Sequence, residues 1–309
     1  MKKHLTLFLL FITMLSCSLK KEKKETKIST NYTYSIGISE ITSHPSLDLV
    51  IKGISETLKN DNVDIQVMVA NGELATANLI ASNFNKNKDI VIGVGTGAAQ
   101  ALKNNITDKP ILFSAVSDPK EAGLMAENIT GVSDMILDVN KSLKLLKEKF
   151  PNTKTIGILF SSSELNSAVQ VKNIKKAAKD LNLKVIEGAA SNANDLVQVT
   201  NVLIEKVDAI YVPTDNLVVS NISYVIDIAN KKSKPLIVSE NVSVQLGALF
   251  AYGVDYYEIG KRTAELVKEI LNGKDISQIP YEAIIKTKLY FNKDTAKKLN
   301  VTFDDTKKE

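Results

Sequence analysis

The sequence predicts two α/β lobes, each a parallel sheet covered by helices, and three observations carry that expectation. Short β-branched runs alternate with longer helical patterns from Tyr34 onward, and the alternation begins afresh after Gly131–Met135. Elements are also left over once both sets are complete, so the chain must recross between the lobes.

In the first half, strands are expected at Tyr34–Ser39, Asp64–Ala70, Asp89–Val94 and Ile111–Ala115. Helical spacing over Ser46–Leu58, Glu73–Asn83 and Gly97–Lys103 separates them. In the second half, strands at Thr155–Phe160, Lys184–Glu187, Ala209–Val212 and Leu236–Val238 alternate with helices at Leu143–Lys149, Val169–Leu181, Asp195–Glu205 and Ser220–Asn230. A last helix has a clear start and stop: Asp255 is a good N-cap, Glu258 completes a capping box, and Ile259, Thr263, Leu266 and Ile270 keep helical spacing up to Gly273. A strand over Ile279–Ile285 and a short helix around Lys293–Leu299 close the chain.

Length and composition bound the function. With 309 residues, 44% apolar and 24% charged, the chain can bury two real cores and is neither disordered nor coiled-coil. One cysteine and two histidines exclude a disulfide framework and leave almost nothing for a zinc site. A net charge of +4 is too mild to predict a nucleic-acid partner. No cofactor is expected.

The N-terminus reads as an export signal. Met1-Lys2-Lys3-His4 is a cationic start, and the apolar run Leu5–Leu15 is too short to span a bilayer. Ser16 and Cys17 follow, an order that resembles a bacterial lipoprotein signal, with cleavage before a lipidated Cys17; an ordinary secretory peptide is the alternative. Residues 18–30 carry a run of lysines and glutamates with few large apolar side chains, as a solvated tether would.

In open α/β sheets ligands bind beyond the carboxyl ends of the strands. The residues there are small hydroxyls, amides and carboxylates: Glu40, Thr96, Gly97, Ser117, Asp118, Ser163, Asn166, Thr214, Asp215, Asn216 and Glu240. Gly95-Thr96-Gly97 opens a helix whose free amides suit an anion, but it lacks the lysine of a phosphate loop and the third glycine of a dinucleotide fingerprint. Asp118, Asp215 and Glu240 suit an ammonium group, and each could equally be a helix N-cap. Enzyme signatures are missing: there is no Gly-x-Ser-x-Gly elbow and no His-Glu-x-x-His pair, and His44, before Pro45, reads as a turn or surface residue. Tyr252, Tyr256 and Tyr257 around Gly253 read as hinge packing or as a wall for an apolar ligand.

Several blocks taken in order point to a family. They include His44-Pro45-Ser46-Leu47-Asp48, Gly97-Ala98-Ala99-Gln100, Ser117-Asp118-Pro119, Ser162-Ser163-Glu164-Leu165-Asn166, Pro213-Thr214-Asp215-Asn216 and Gly253-Val254-Asp255-Tyr256-Tyr257. From about Tyr34 to Glu282 the chain resembles substrate-binding lipoproteins of ABC importers, of the tryptophan- or tyrosine-binding type. The resemblance implies a type I periplasmic-binding fold of two Rossmann-like lobes joined by a hinge, which closes on its ligand. It places lobe 1 at 32–132 plus 254–279 and lobe 2 at 133–253 plus 280–304, after a signal at 1–16 and a lipidated Cys17 with its tether at 17–31. It implies that Thr96, Gly97 and Ser117, with the amides reaching Ala98, hold a ligand carboxylate and that Asp215 takes the ammonium. Ser163, Asn166 and Asn216 complete a polar ring, with Glu40, Asp118, Thr214 and Glu240 as further candidates.

The expected protein is not an enzyme. It is a monomeric, lipid-anchored, extracytoplasmic receptor that passes an amino acid, most suitably an aromatic one, to a permease and its ATPase. A lipid-anchored sensor of the same fold, signalling to a membrane receptor, and an exported enzyme using the same cleft are the competing readings.

Overall fold

The computed structural model describes residues 34–135, 139–283 and 287–304. The signal-like segment 1–16, Cys17 and the tether 17–31 lie outside the described residues.

The first sheet contains β1 (Tyr34–Glu40), β2 (Val63–Val69), β3 (Ile90–Val94), β4 (Ile111–Ser114), β5 (Ile129–Ser133) and β11 (Glu282–Ala283), in the order β11-β5-β4-β3-β1-β2. All its described pairings are parallel. Its central strands are buried on both faces and rich in Ile and Val, whereas the edge strand β2 has a largely exposed or half-buried pattern. The helices α1 (Pro45–Leu58), α2 (Leu74–Asn87), α3 (Thr96–Asn105) and α10 (Tyr256–Leu271) cover it.

The second sheet runs β12-β10-β9-β8-β6-β7. It comprises β6 (Thr155–Ser161), β7 (Lys184–Ala190), β8 (Ala209–Tyr211), β9 (Leu236–Glu240), β10 (Phe250–Val254) and β12 (Lys288–Phe291), the last antiparallel to β10. Its helices are α4 (Val139–Lys149), α5 (Leu165–Asp180), α6 (Ala193–Ile204), α7 (Asn216–Ser220), α8 (Ile222–Lys231), α9 (Asn241–Leu246) and α11 (Lys293–Lys298). Two apolar clusters, one around Leu203, Ile210 and Val225 and the other around Leu146, Ile158 and Tyr211, make up its core.

In both sheets the strand order reverses beside the first strand, between β1 and β3 and between β6 and β8. Those reversals open the crevices in which α/β folds bind ligands.

The returning helix α10 is the element that ties the chain back to the first sheet. Asp255 caps it, accepting from the amides of Tyr257 (3.0 Å) and Glu258 (3.4 Å), and Gly273, with φ +88°, follows its end. It lies so close to α1 that a β-carbon at Gly53 or Gly260 would overlap the carbonyl oxygen of Tyr257 or Val50 respectively.

Three expectations change. The single strand over 279–285 is instead a short 3-10 turn at Ile276–Gln278 followed by β11, which pairs with β5. Glu282 and Ala283 therefore belong with the first sheet rather than the second lobe, and Ile284–Lys286 lie outside the described residues. The strands β5, β10 and β12 and the helices α7 and α9 were not predicted, because each is too short, at four to six residues, to carry a clear periodic pattern.

Candidate binding cleft

The two sheets present their carboxyl ends to a shared cleft, and hydrogen bonds cross it. Ser46 Oγ, on α1, donates to Glu240 Oε2 at 2.9 Å; Gln170 Nε2, on α5, donates to Ser117 Oγ at 3.1 Å; His44 Nε2 lies 3.2 Å from Asn216 Oδ1. The lobes are closed on one another.

The cleft has two connected parts. The inner part is lined by His44, Ser46, Gly95, Thr96, Ser117, Asp134, Asn166, Thr214, Asp215, Asn216, Glu240 and Tyr256, with Leu47, Ala115 and Val219 as its apolar surface. Its inter-atomic space totals about 340 Å³, yet water-sized molecules can centre in only about 10 Å³ of it, so in this closed form it takes roughly one water. By that second measure the outer part offers about 670 Å³, lined by Ile41, Asn71, Glu73, Leu74, Gly97, Ser163, Glu164 and neighbours. Thr96, Asn166 and Asn216 face both parts.

Charge in this cleft is one-sided. Carboxylates line it and no lysine or arginine does, among the described residues. Asp134, wholly buried at the end of β5, accepts from Ser117 Oγ at 3.0 Å and from Tyr256 OH at 2.9 Å, one hydroxyl on each oxygen. Burial pushes its pKa up while the two hydroxyls oppose the rise. Asp215 accepts from the Ser161 amide (2.5 Å), Ser167 Oγ (2.6 Å) and the Val218 amide (2.8 Å), so most of its acceptor sites are taken. Burial, then the Glu164 carboxylate, pushes it up to about 7 against those donors. Glu240 accepts from the amides of Val242 and Ser243 as cap of α9, besides Ser46.

Opposite these acids stands the N-terminus of α3. Its N-cap, Gly95, has φ +85° and no side chain to offer, so the first amides of the helix lack a side-chain cap. Thr96 Oγ1 beside them is buried without a partner, as is Thr214 Oγ1. An uncapped helix start facing buried carboxylates can hold the two ends of a zwitterion.

Of the residues singled out from the sequence, the structure brings Thr96, Ser117, Asn166, Thr214, Asp215, Asn216 and Glu240 to the inner part, with Gly97 and Ser163 in the outer. Three line neither. Glu40 is buried at the end of β1 with Oε1 unpartnered, and burial with the nearby Asp48 carboxylate raises it to about 8. Ala98 packs in the core. Asp118 accepts from the amides of Lys120 and Glu121, both at 3.0 Å, and so holds a turn rather than capping a helix.

Sequence reasoning missed Asp134, Glu164 and Ser46, and it misplaced His44, which is 6% exposed and interlobe rather than superficial. Of the three tyrosines, Tyr256 reaches the inner part, while Tyr257 donates its hydroxyl outward to Glu56 at 2.7 Å. Strand-tip position alone could have flagged Asp134, since it follows β5 directly.

This architecture is the two-lobed type I periplasmic-binding fold. Distant neighbours of that fold include a myo-inositol-bound solute-binding protein of Bacillus halodurans, 14% identical with a TM-score of 0.66 and covering 86% of this chain and 97% of that one. Residues 35–307 match the family described as ABC transporter substrate binding protein, and the chain belongs to it. It is 37% identical over 299 residues to the tyrosine-binding protein of Clostridioides difficile, covering 93% of this chain and 85% of that one. Among solved structures, an ABC domain from Streptococcus pneumonia in complex with L-Trp is 33% identical with a TM-score of 0.84, covering 88% of this chain and 96% of that one. A ligand-free, open substrate-binding protein from Clostridium difficile is 36% identical, covers 89% and 97%, and scores 0.67. At similar identity, the closed chain fits the L-Trp complex better than the open form.

The protein is a substrate-binding component of an ABC transporter, not an enzyme. Its family works outside the cytoplasm, and among the described residues no helix is long and apolar enough to cross a membrane.

Proposed function

We propose that the protein captures an amino acid with an aromatic side chain, tyrosine or tryptophan, and delivers it to the permease of an importer. The carrying observation is the pairing, across one closed cleft, of the uncapped α3 N-terminus with buried carboxylates unaccompanied by any cation. The ligand carboxylate lies on the α3 amides with the unpartnered Thr96 hydroxyl, and the ammonium goes to the acids. Asp134 has the larger free acceptor capacity, one bond on each oxygen, so it takes the leading part and Asp215 the supporting one. Because the inner part holds about one water in this form, the ligand enters with the lobes parted, and the lobes then close over it less tightly than they do here. Cys17, as the lipidated residue after a signal at 1–16, anchors a monomer to the outer face of the membrane.

A calorimetric and thermal-shift panel of amino acids and sugars tests this reading. Tyrosine or tryptophan at a hundred times its Kd adds about 2.7 kcal/mol of stability. The protein has no tryptophan, so the emission of added tryptophan reports its own capture. Stabilisation by sugars alone would overturn the assignment. For the anchor, intact mass of membrane-extracted protein shows a lipid adduct that Cys17→Ala abolishes.

A further inference from the structure

The cleft holds one neutral nitrogen that the zwitterion reading leaves without a task. His44 is the N-cap of α1, yet its side chain makes no capping bond. It is 6% exposed, lines the inner part, and its Nδ1 has no hydrogen-bond partner.

The orientation of that ring is fixed by chemistry rather than by choice. Asn216 Nδ2 lies 2.6 Å from Glu164 Oε2, and only the amide nitrogen can donate to a carboxylate. Asn216 Oδ1 is therefore the atom that faces His44 Nε2 at 3.2 Å, and an amide oxygen can only accept. Nε2 must carry the proton. In the neutral ring the other nitrogen, Nδ1, is then a bare acceptor, and burial favours that neutral form by lowering the pKa.

Glu164 is what holds this arrangement. Its two oxygens accept from the amides of Asn216 (3.1 Å) and Leu217 (2.9 Å) and from the side-chain amide of Asn166 (3.0 Å), besides Asn216 Nδ2. The order Glu164, Asn216, His44 thus runs from the second lobe into the first and sets which ring nitrogen is left without a partner.

We infer that His44 is a specificity-determining residue whose Nδ1 accepts a hydrogen bond from the ring donor of the ligand, the phenol O–H of tyrosine or the indole N–H of tryptophan. This rests on the amino acid reading above. The acids already serve the ammonium, and a neutral buried acceptor is suited to a neutral donor. The ligands named for the tyrosine-binding relative and the L-Trp complex share this one feature, an aromatic ring bearing a donor. Phenylalanine lacks it and would leave Nδ1 unpaired, which is how such sites reject the analogue without the donor.

The test compares tyrosine, tryptophan and phenylalanine by calorimetry on wild type and His44→Gln, whose amide can still reach Asn216. The variant is expected to lose about tenfold in affinity for tyrosine and tryptophan and to keep that for phenylalanine within about twofold. A second readout needs no variant that folds. The chain has two histidines, and in 15N spectra of labelled wild-type protein the unprotonated nitrogen of the neutral buried imidazole moves on adding tyrosine or tryptophan and stays put with phenylalanine. Equal losses for all three ligands, no loss at all, or a 15N shift common to all three overturns the role of His44. Failure of the wild type to bind any of the three overturns the amino acid reading itself.

Discussion

Single residues in this cleft serve packing and recognition together, and their charges separate the two. Asp134→Asn keeps a group able to meet Ser117 and Tyr256 but removes the charge an ammonium needs; ligand affinity is expected to fall by roughly tenfold to a hundredfold, measured by calorimetry. Folding stability near neutral pH should be unchanged or higher, because a buried carboxylate has been replaced by a neutral amide. Glu40 gives a pH signature. Its folded pKa of about 8 stands above the ordinary 4.5, so between those values the folded chain binds more protons than the unfolded one and stability falls as pH rises. The midpoint of thermal unfolding is expected to fall less steeply from pH 5 to pH 8 in Glu40→Gln than in wild type, and identical slopes would show the carboxyl ionises normally. Residue type and strand-tip position made Thr96, Asn166 and Asp215 legible from the sequence. Asp134 and His44 were not put forward: Asp134 matters through its burial against Ser117 and Tyr256 of its own lobe, and His44 through the ring nitrogen left unbonded once Asn216 of the other lobe engages Nε2.

At the scale of elements, the most exposed dependency is the contact between α1 and α10. Alanine in place of glycine within a helix ordinarily stabilises. Here the backbones approach through Gly53 and Gly260, and a methyl group at Gly260 would overlap the Val50 carbonyl. Gly260→Ala is therefore expected to destabilise by about 2–3 kcal/mol in chemical denaturation, the size of an overpacking strain. Long periodic helices such as α10, with its Asp255 cap and Gly273 stop, were readable at both ends. The short α7 and α9 were not. They exist because Asp215 and Glu240 cap them, so the same carboxylates that looked like ligand groups also make the helix starts that shape the cleft. Sheet membership of β11 was likewise hidden: two residues of edge strand carry no pattern that names a partner.

For the whole molecule, closure is held by a small number of interlobe hydrogen bonds around the cleft. Gln170 reaches Ser117 across it while accepting from the Thr214 amide at 3.0 Å, and Ser46 reaches Glu240. At about 1 kcal/mol per bond, removing one shifts the closed population by roughly fivefold. Gln170→Ala is expected to speed ligand release by about that factor in stopped-flow measurements and to enlarge the radius of gyration by small-angle scattering. Unchanged release would place the closing energy elsewhere. The sequence by itself determined two repeated α/β halves, a polar set of strand tips and a family resemblance. Periodicity, caps and turn residues are local, and each half carries its own copy of them. Only the tertiary structure decided which tips meet, which carboxylates keep free lone pairs, and which imidazole nitrogen is left bare. Those are properties of two lobes brought together, where atoms far apart in the chain compete for the same buried hydrogen bonds.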